Sequence, residues 1–328
     1  MIVNYKKWLN YTGVTSFVAC LMHLTLVYYI YKTQSHEILW VHNCLVKKET
    51  IARRIRGAKI VFAGGSATHF GIRTKDVQEK LGIHSVNMGL HAAIELDYLL
   101  ERLKQILSPG DVVILPLEYE YLMYNGEPND RTVDYIITYD KAFFKSLPFL
   151  EKLKYLINVT PLKLGQSLGT KLLFGKINEE LGKGYNSSTL NENGDETWNV
   201  GNNRMDRLVA SPVKIQTGEF LETTGLKILK DFNLWALRNH IAVYVTYANT
   251  LYWPQYQSDL YYIYFNKVEK FFSKNNIDTI GNPYDFFYSK ELFYDTEYHL
   301  NQEGVSIRTR QLIIMITSLG IADKMRKH

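Results

Sequence analysis

Between Lys59 and Leu117 short apolar runs alternate with amphipathic stretches, and this alternation limits the possible architectures more than any other feature of the chain. Lys59–Gly64 (KIVFAG) reads as a buried strand, Thr74–Leu81 as a helix and Ser85–Leu90 (SVNMGL) as a second strand. Glu95–Leu107 (ELDYLLERLKQIL) has apolar residues at helical spacing and is stopped by Ser108-Pro109-Gly110; Asp111–Leu117 (DVVILPL) follows as a third strand. The pattern resumes with a helix at Leu226–Asn239, a strand at Ile241–Tyr247 (IAVYVTY) and a helix at Leu260–Lys274. A short strand near Ile277–Ile280 and a last helix from Glu303 to Leu319 complete it. Strand and helix in strict alternation predict βαβ units and one parallel sheet of about five strands, hence an α/β fold.

The regularity breaks between Tyr121 and Gly225. Short helical pieces such as Phe149–Ile157 precede a polar run, Tyr185–Arg204, rich in Asn, Gly and Ser. This stretch reads as an insertion, either a cap over a site or surface elaboration. Tyr11–Tyr31 contains no Asp, Glu, Lys or Arg, and its 21 residues would extend roughly 31 Å as a helix, enough to cross a hydrocarbon core. Trp8 and the cluster Tyr28, Tyr29 and Tyr31 suit the two interfaces. The run exceeds a usual signal-peptide core and no A-x-A site follows, which favours an uncleaved anchor in the lipid bilayer. Lys6 and Lys7 precede the span and only Lys32 follows closely, which places the body on the extracytoplasmic side. The expected organisation is therefore an N-tail and anchor (1–32), a connector (33–58), a first half-domain (59–120), the insertion (121–225) and a second half-domain (226–328).

Composition narrows the function classes. Two cysteines exclude a disulfide scaffold and a Cys-based zinc cluster. The net charge of +5 comes from basic residues spread along the chain, so nucleic acid is not an expected partner. No metal-ligand motif such as H-E-x-x-H occurs. Of 24 tyrosines, several in the second half (Tyr252, Tyr256, Tyr261 and Tyr262, with Trp253) read either as core filling or as platforms for sugar rings.

The first strand ends in Gly64-Gly65-Ser66-Ala67-Thr68-His69-Phe70-Gly71. Ligands of open parallel sheets bind at the carboxyl ends of strands, so Ser66 stands where a reacting group belongs. A phosphate loop would need Gly-Lys-Ser/Thr, and a dinucleotide fingerprint would need G-x-G-x-x-G; neither is present, and no cofactor is implied. A plain tight turn is the alternative. Near the C-terminus, Asp295 precedes His299 by four residues. A carboxylate there can accept the imidazole Nδ1–H, fix the tautomer and leave Nε2 to take a proton from a serine.

With these blocks in view, the chain resembles the SGNH (GDSL-type) hydrolases, and within them the membrane-anchored members found with polysaccharide O-acylation systems. The resemblance covers Lys59–Leu117 and Leu226–Leu319. It implies a flavodoxin-like three-layer sandwich and serine esterase or O-acyltransferase activity, typically O-acetyl, on a cell-envelope or secreted polysaccharide. It also implies a membrane-bound O-acyltransferase as partner. By it, Ser66 corresponds to the nucleophile, His299 to the general base and Asp295 to the orienting acid, while the N–H groups of Ser66 and Gly89 correspond to oxyanion donors. The chain departs from the pattern in three places. Gly65 stands where many members carry Asp, and the Asp–His spacing is one residue longer than usual, which leaves Glu297 as an alternative acid. The Gly-x-Asn-Asp block after strand three is replaced by Leu117-Glu118-Tyr119. With that Asn absent, Tyr119 is the candidate third oxyanion donor, and Glu118 is expected to point away or be neutral; the alternative is that both side chains pack beneath the insertion. The rival expectation is a non-catalytic glycan-binding or assembly protein on the same fold.

Overall fold

The computed structural model describes residues 5–32, 38–159, 185–199 and 211–326. The start of the expected connector (33–37) and the end of the polar run (200–204) lie outside them. The chain forms two compact units, Met1–His42 with Pro128–Glu179, and Asn43–Glu127 with Glu180–His328. The stretch 121–225 is thus shared between the two units.

The larger unit holds a five-stranded sheet. Its first four strands are β1 (Ile60–Phe62), β2 (Ser85–Asn87), β3 (Val112–Leu117) and β4 (Ala242–Tyr247). After the two-residue β5 (Thr250–Leu251), the chain reaches the fifth strand of the sheet, β6 (Asp278–Thr279). The order is β2-β1-β3-β4-β6 and all four pairings are parallel, with Val61 beside Val86 and Val113, and Val113 beside Val243. This is the 2-1-3-4-5 strand order of flavodoxin-like doubly wound sheets. Every residue of β1 and β3 is buried, as befits a parallel sheet covered on both faces. A pairing of β5 with β7 (Phe287–Tyr288) forms a second, two-stranded sheet that the sequence pattern does not announce.

The sheet's two ends differ in chemistry. At the amino ends of β1 and β3, buried Lys59 and Asp111 pair at 2.6 Å. The Asp111 carboxylate also accepts the N–H groups of Lys59 and Ser108, which offsets its burial. At the carboxyl ends, β1 leads into α3 (Ser66–His69), with α1 (Tyr5–Lys32) and α2 (Leu39–Arg54) preceding it in the chain. The order continues with α4 (Thr74–Leu81), α5 (Leu96–Lys104) and α6 (Tyr119–Leu122), the last immediately after β3. The outer edge of β2 is closed by a loop: Asn87 N–H donates to Asn193 O at 2.9 Å, and Asn193 Nδ2 donates to Ser85 O at 2.8 Å.

The smaller unit contains α1, the start of α2, α7 (Asp130–Tyr139), α8 (Lys141–Ser146) and α9 (Phe149–Ile157). Lys7–Tyr29 in α1 is 23 residues long with mean hydropathy 1.3, long and apolar enough to cross a membrane. Most of its side chains are exposed, Phe17 and Met22 among them. Towards its C-terminal end it is partly covered: α7 packs against it, Val27 is buried, and His23 Nε2 shares a hydrogen bond with Leu156 O at 3.0 Å.

Candidate active site

Ser66 is the first residue of α3 and is 7% exposed. The turn that carries it is held by Glu118, which follows β3 directly. Glu118 Oε2 accepts the Gly65 N–H at 3.0 Å and Oε1 accepts the Ala67 N–H at 2.8 Å, gripping the backbone on both sides of the serine. Gly65 has to be glycine here, because a Cβ would lie 2.5 Å from Glu118 Oε1 and 2.8 Å from Ala92 Cα. An Asp at 65 therefore has no room, and the carboxyl nearest the serine turn comes from Glu118. Burial pushes the Glu118 carboxyl up to about 7, against the pull of the two N–H donors. Of the two expectations for Glu118, the second holds: it faces the serine turn, and burial favours its neutral form.

Tyr119 takes the packing role of its two alternatives and is not placed as a donor. Its ring packs on Phe265 at 5.5 Å and Tyr247 at 6.4 Å, and its hydroxyl is buried without a hydrogen-bond partner. It belongs to the aromatic core that includes Tyr256 and Tyr261, which are buried there, whereas Tyr252 and Tyr262 are exposed. Gly89 is placed against α3, where a Cβ would meet His69 N at 2.4 Å. Its N–H, however, donates to Asn87 Oδ1 at 2.9 Å, so it is not open to an oxyanion as expected. The Ser66 N–H has no acceptor among the described residues.

His299 Nδ1 and Asp295 Oδ1 are 2.7 Å apart. Asp295, not Glu297, meets the imidazole. Its other oxygen accepts the Tyr185 hydroxyl at 2.8 Å, and that hydroxyl lies 3.3 Å from His299 Nδ1. The His299 loop is fastened to the end of the serine helix by Asn199 and to the last long helix by Asn249. Asn199 Nδ2 donates to both Phe70 O (3.0 Å) and Leu300 O (2.9 Å), and the Phe70 and His299 rings lie 4.2 Å apart. Asn249 Nδ2 donates to Tyr298 O at 2.6 Å, while Asn249 Oδ1 is bonded by the buried Arg308 guanidinium. Ser66 and the Asp295–His299 pair are thus on joined segments. Among the described residues neither Ser66 Oγ nor His299 Nε2 makes a hydrogen bond, so the direct serine–imidazole bond is not formed in this state.

A second buried cluster lies behind α3. Lys48 Nζ reaches Gly89 O (2.6 Å), His69 Nδ1 (3.0 Å) and Asn87 Oδ1 (3.2 Å), three acceptors for its three protons. His69 Nδ1 also lies 3.2 Å from Gly89 O; in the tautomer in which it accepts from Lys48, the proton on Nε2 faces Glu196 Oε2 at 3.5 Å. Burial first, and the Lys48 charge second, hold His69 down to about 4. Neither Lys48, Glu118, Asn199 nor Tyr185 is marked by a motif. Only Glu118 carried a signal, being a carboxylate at the end of a wholly apolar strand.

No family model matches the chain, and no curated protein matches it. A solved structure from Streptococcus pneumonia, provisionally named there as a platelet activating factor, matches with 12% identity and a TM-score of 0.36. The match covers 88% of this chain and 99% of that one. Likeness at that level assigns no activity.

Proposed function

We propose that the protein is a membrane-anchored serine acyl-esterase or O-acyltransferase of SGNH type, acting on an acylated polysaccharide outside the cytoplasm. The observation that carries this reading is the Asp295–His299 hydrogen bond on a loop tied through Asn199 to the helix that begins with Ser66. In the proposed reaction Ser66 Oγ attacks the acyl carbonyl as His299 Nε2 takes the hydroxyl proton. The Ser66 N–H faces the developing oxyanion, the sugar oxygen leaves with the proton from His299, and an acyl-enzyme remains. Water, or the hydroxyl of a second sugar, then gives up a proton to His299 and takes the acyl group, and His299 returns that proton to the departing Ser66 Oγ. A membrane-bound O-acyltransferase fits as the source of acyl groups in the transfer direction.

A second reading is a non-catalytic glycan-binding protein, favoured by the commitment of the Gly89 N–H to Asn87. A fluorophosphonate probe separates the two. The enzyme reading expects covalent labelling of the full-length protein that disappears in Ser66→Ala. Absence of labelling in folded wild-type protein would sink it.

Tyr185 is a positioning residue in this scheme, since it touches Asp295 rather than a reacting atom. Tyr185→Phe keeps the ring against Phe70, at 5.3 Å between centroids, and removes one hydrogen bond to the carboxylate. Turnover is expected to fall roughly ten-fold with KM unchanged and with an altered pH–rate profile. A variant indistinguishable from wild type in both would reduce Tyr185 to a packing role.

A further inference from the structure

We infer that α9 is a membrane-interfacial helix, its apolar face in the acyl chains alongside α1, so that the lipid bilayer covers part of the stretch read from sequence as an insertion. The inference rests on reading α1 as a membrane span. Phe149, Leu150, Leu153 and Ile157 are 77%, 70%, 41% and 65% exposed. At 3.6 residues per turn they share an arc of roughly 100° on one face of the helix. Lys152 and Lys154 flank the stripe, and Tyr155 on the far side is buried. Such a short helix, with large apolar side chains out on one face and lysines at the margins, suits the boundary between headgroups and acyl chains.

What covers the stripe is indicated by what α9 touches within its own unit. Its last turn meets the apolar α1 through Leu156 O and His23 Nε2. His23 precedes Tyr29, the end of the apolar segment, by six residues, or about 9 Å along a helix axis. Interfacial helices bury their apolar face about 5–10 Å into the boundary. The depth set by the His23 contact therefore agrees with the depth that a lipid-facing stripe requires. The same contact gives a polar side chain inside the span a backbone partner, which hydrocarbon would otherwise withhold.

The test uses the full-length protein in lipid nanodiscs. Cys20→Ser removes the exposed thiol and leaves the buried Cys44. Single cysteines introduced as Leu150→Cys, Leu153→Cys, Lys152→Cys or Phe17→Cys then carry an NBD fluorophore. At 150 and 153 the expected emission is blue-shifted, and quenching by doxyl-labelled phosphatidylcholine exceeds quenching by iodide several-fold; at 152 iodide quenches more. If the probe at 17 reads lipid while 150 and 153 read water, the interfacial helix is refuted and the anchor stands. Protection of 150 and 153 from both quenchers would mean a protein partner or a second copy instead, and also overturns the inference. A probe at 17 that reads water would remove the span itself.

Discussion

Asp295→Asn is expected to lower turnover by about 10⁴ while leaving the fold and substrate affinity nearly unchanged. The carboxamide has the shape of the carboxylate, but its NH₂ can face Nδ1 as a donor. Nδ1 must then accept, the ring proton moves to Nε2, and the imidazole can no longer take a proton from Ser66. His299→Ala should do at least as much damage. The double variant should add little to either single one, because the two groups act as a unit. Glu297→Gln should remain close to wild type, since Asp295 occupies the 2.7 Å contact with Nδ1. Single-turnover kinetics on an activated acyl ester would decide the matter. A crippled Glu297→Gln beside a mild Asp295→Asn would refute this assignment of the acid.

The second large effect concerns stability against pH, where two buried groups, His69 of the serine helix and Glu118 at the serine turn, oppose one another. His69 is held down to about 4 from an ordinary 6.5, so between those values the unfolded chain binds more protons, and stability rises with pH. Glu118 is pushed up to about 7 from 4.5, so over that interval the folded chain binds more protons, and stability falls with pH. Each displacement corresponds to on the order of 3 kcal/mol, with opposite sign across the shared window from pH 4.5 to 6.5. The wild-type profile should therefore be flattened there by cancellation. Relative to wild type, His69→Gln should lose stability as pH rises through the window, and Glu118→Gln should gain it. Urea unfolding at several pH values reads both slopes. Parallel profiles for all three proteins would show that neither group is displaced from its ordinary titration.

The sheet could be read from sequence because its strands are buried on both faces and appear as unbroken apolar runs; β1, β3 and β4 lie within the expected bounds. Helices with a full apolar face were equally legible, α4 and α9 to the residue. Elements of two to four residues, such as α3, α6 and the β5–β7 pair, are too short to carry a period. In the candidate site, Asp295 and His299 were visible because they lie one helical turn apart in sequence. Glu118 lies 53 residues from Gly65, and Tyr185 lies 110 from Asp295. Only tertiary folding brings those pairs together, and the sequence holds no local sign of it. The roles of Glu118 and Tyr119 were not legible for a related reason. Neighbouring residues at a strand's end point to different sides, and nothing local says which side faces the serine.

The closure of β2 by Asn193 bears on how copies of this chain can live beside one another. An open strand edge presents unpaired N–H and C=O groups, a template for adding a strand from another molecule. On the proposed reading of α1 as an anchor, neighbours meet in two dimensions and in similar orientation, which raises the chance of such pairing. Here one edge of the sheet has its Asn87 N–H and Ser85 C=O occupied from within the chain, and the other edge strand, β6, is two residues long. Neither edge offers a run of free backbone. Crowding of anchored copies should then leave these sheets separate, and loosening the loop at Asn193 would expose the β2 edge to pairing.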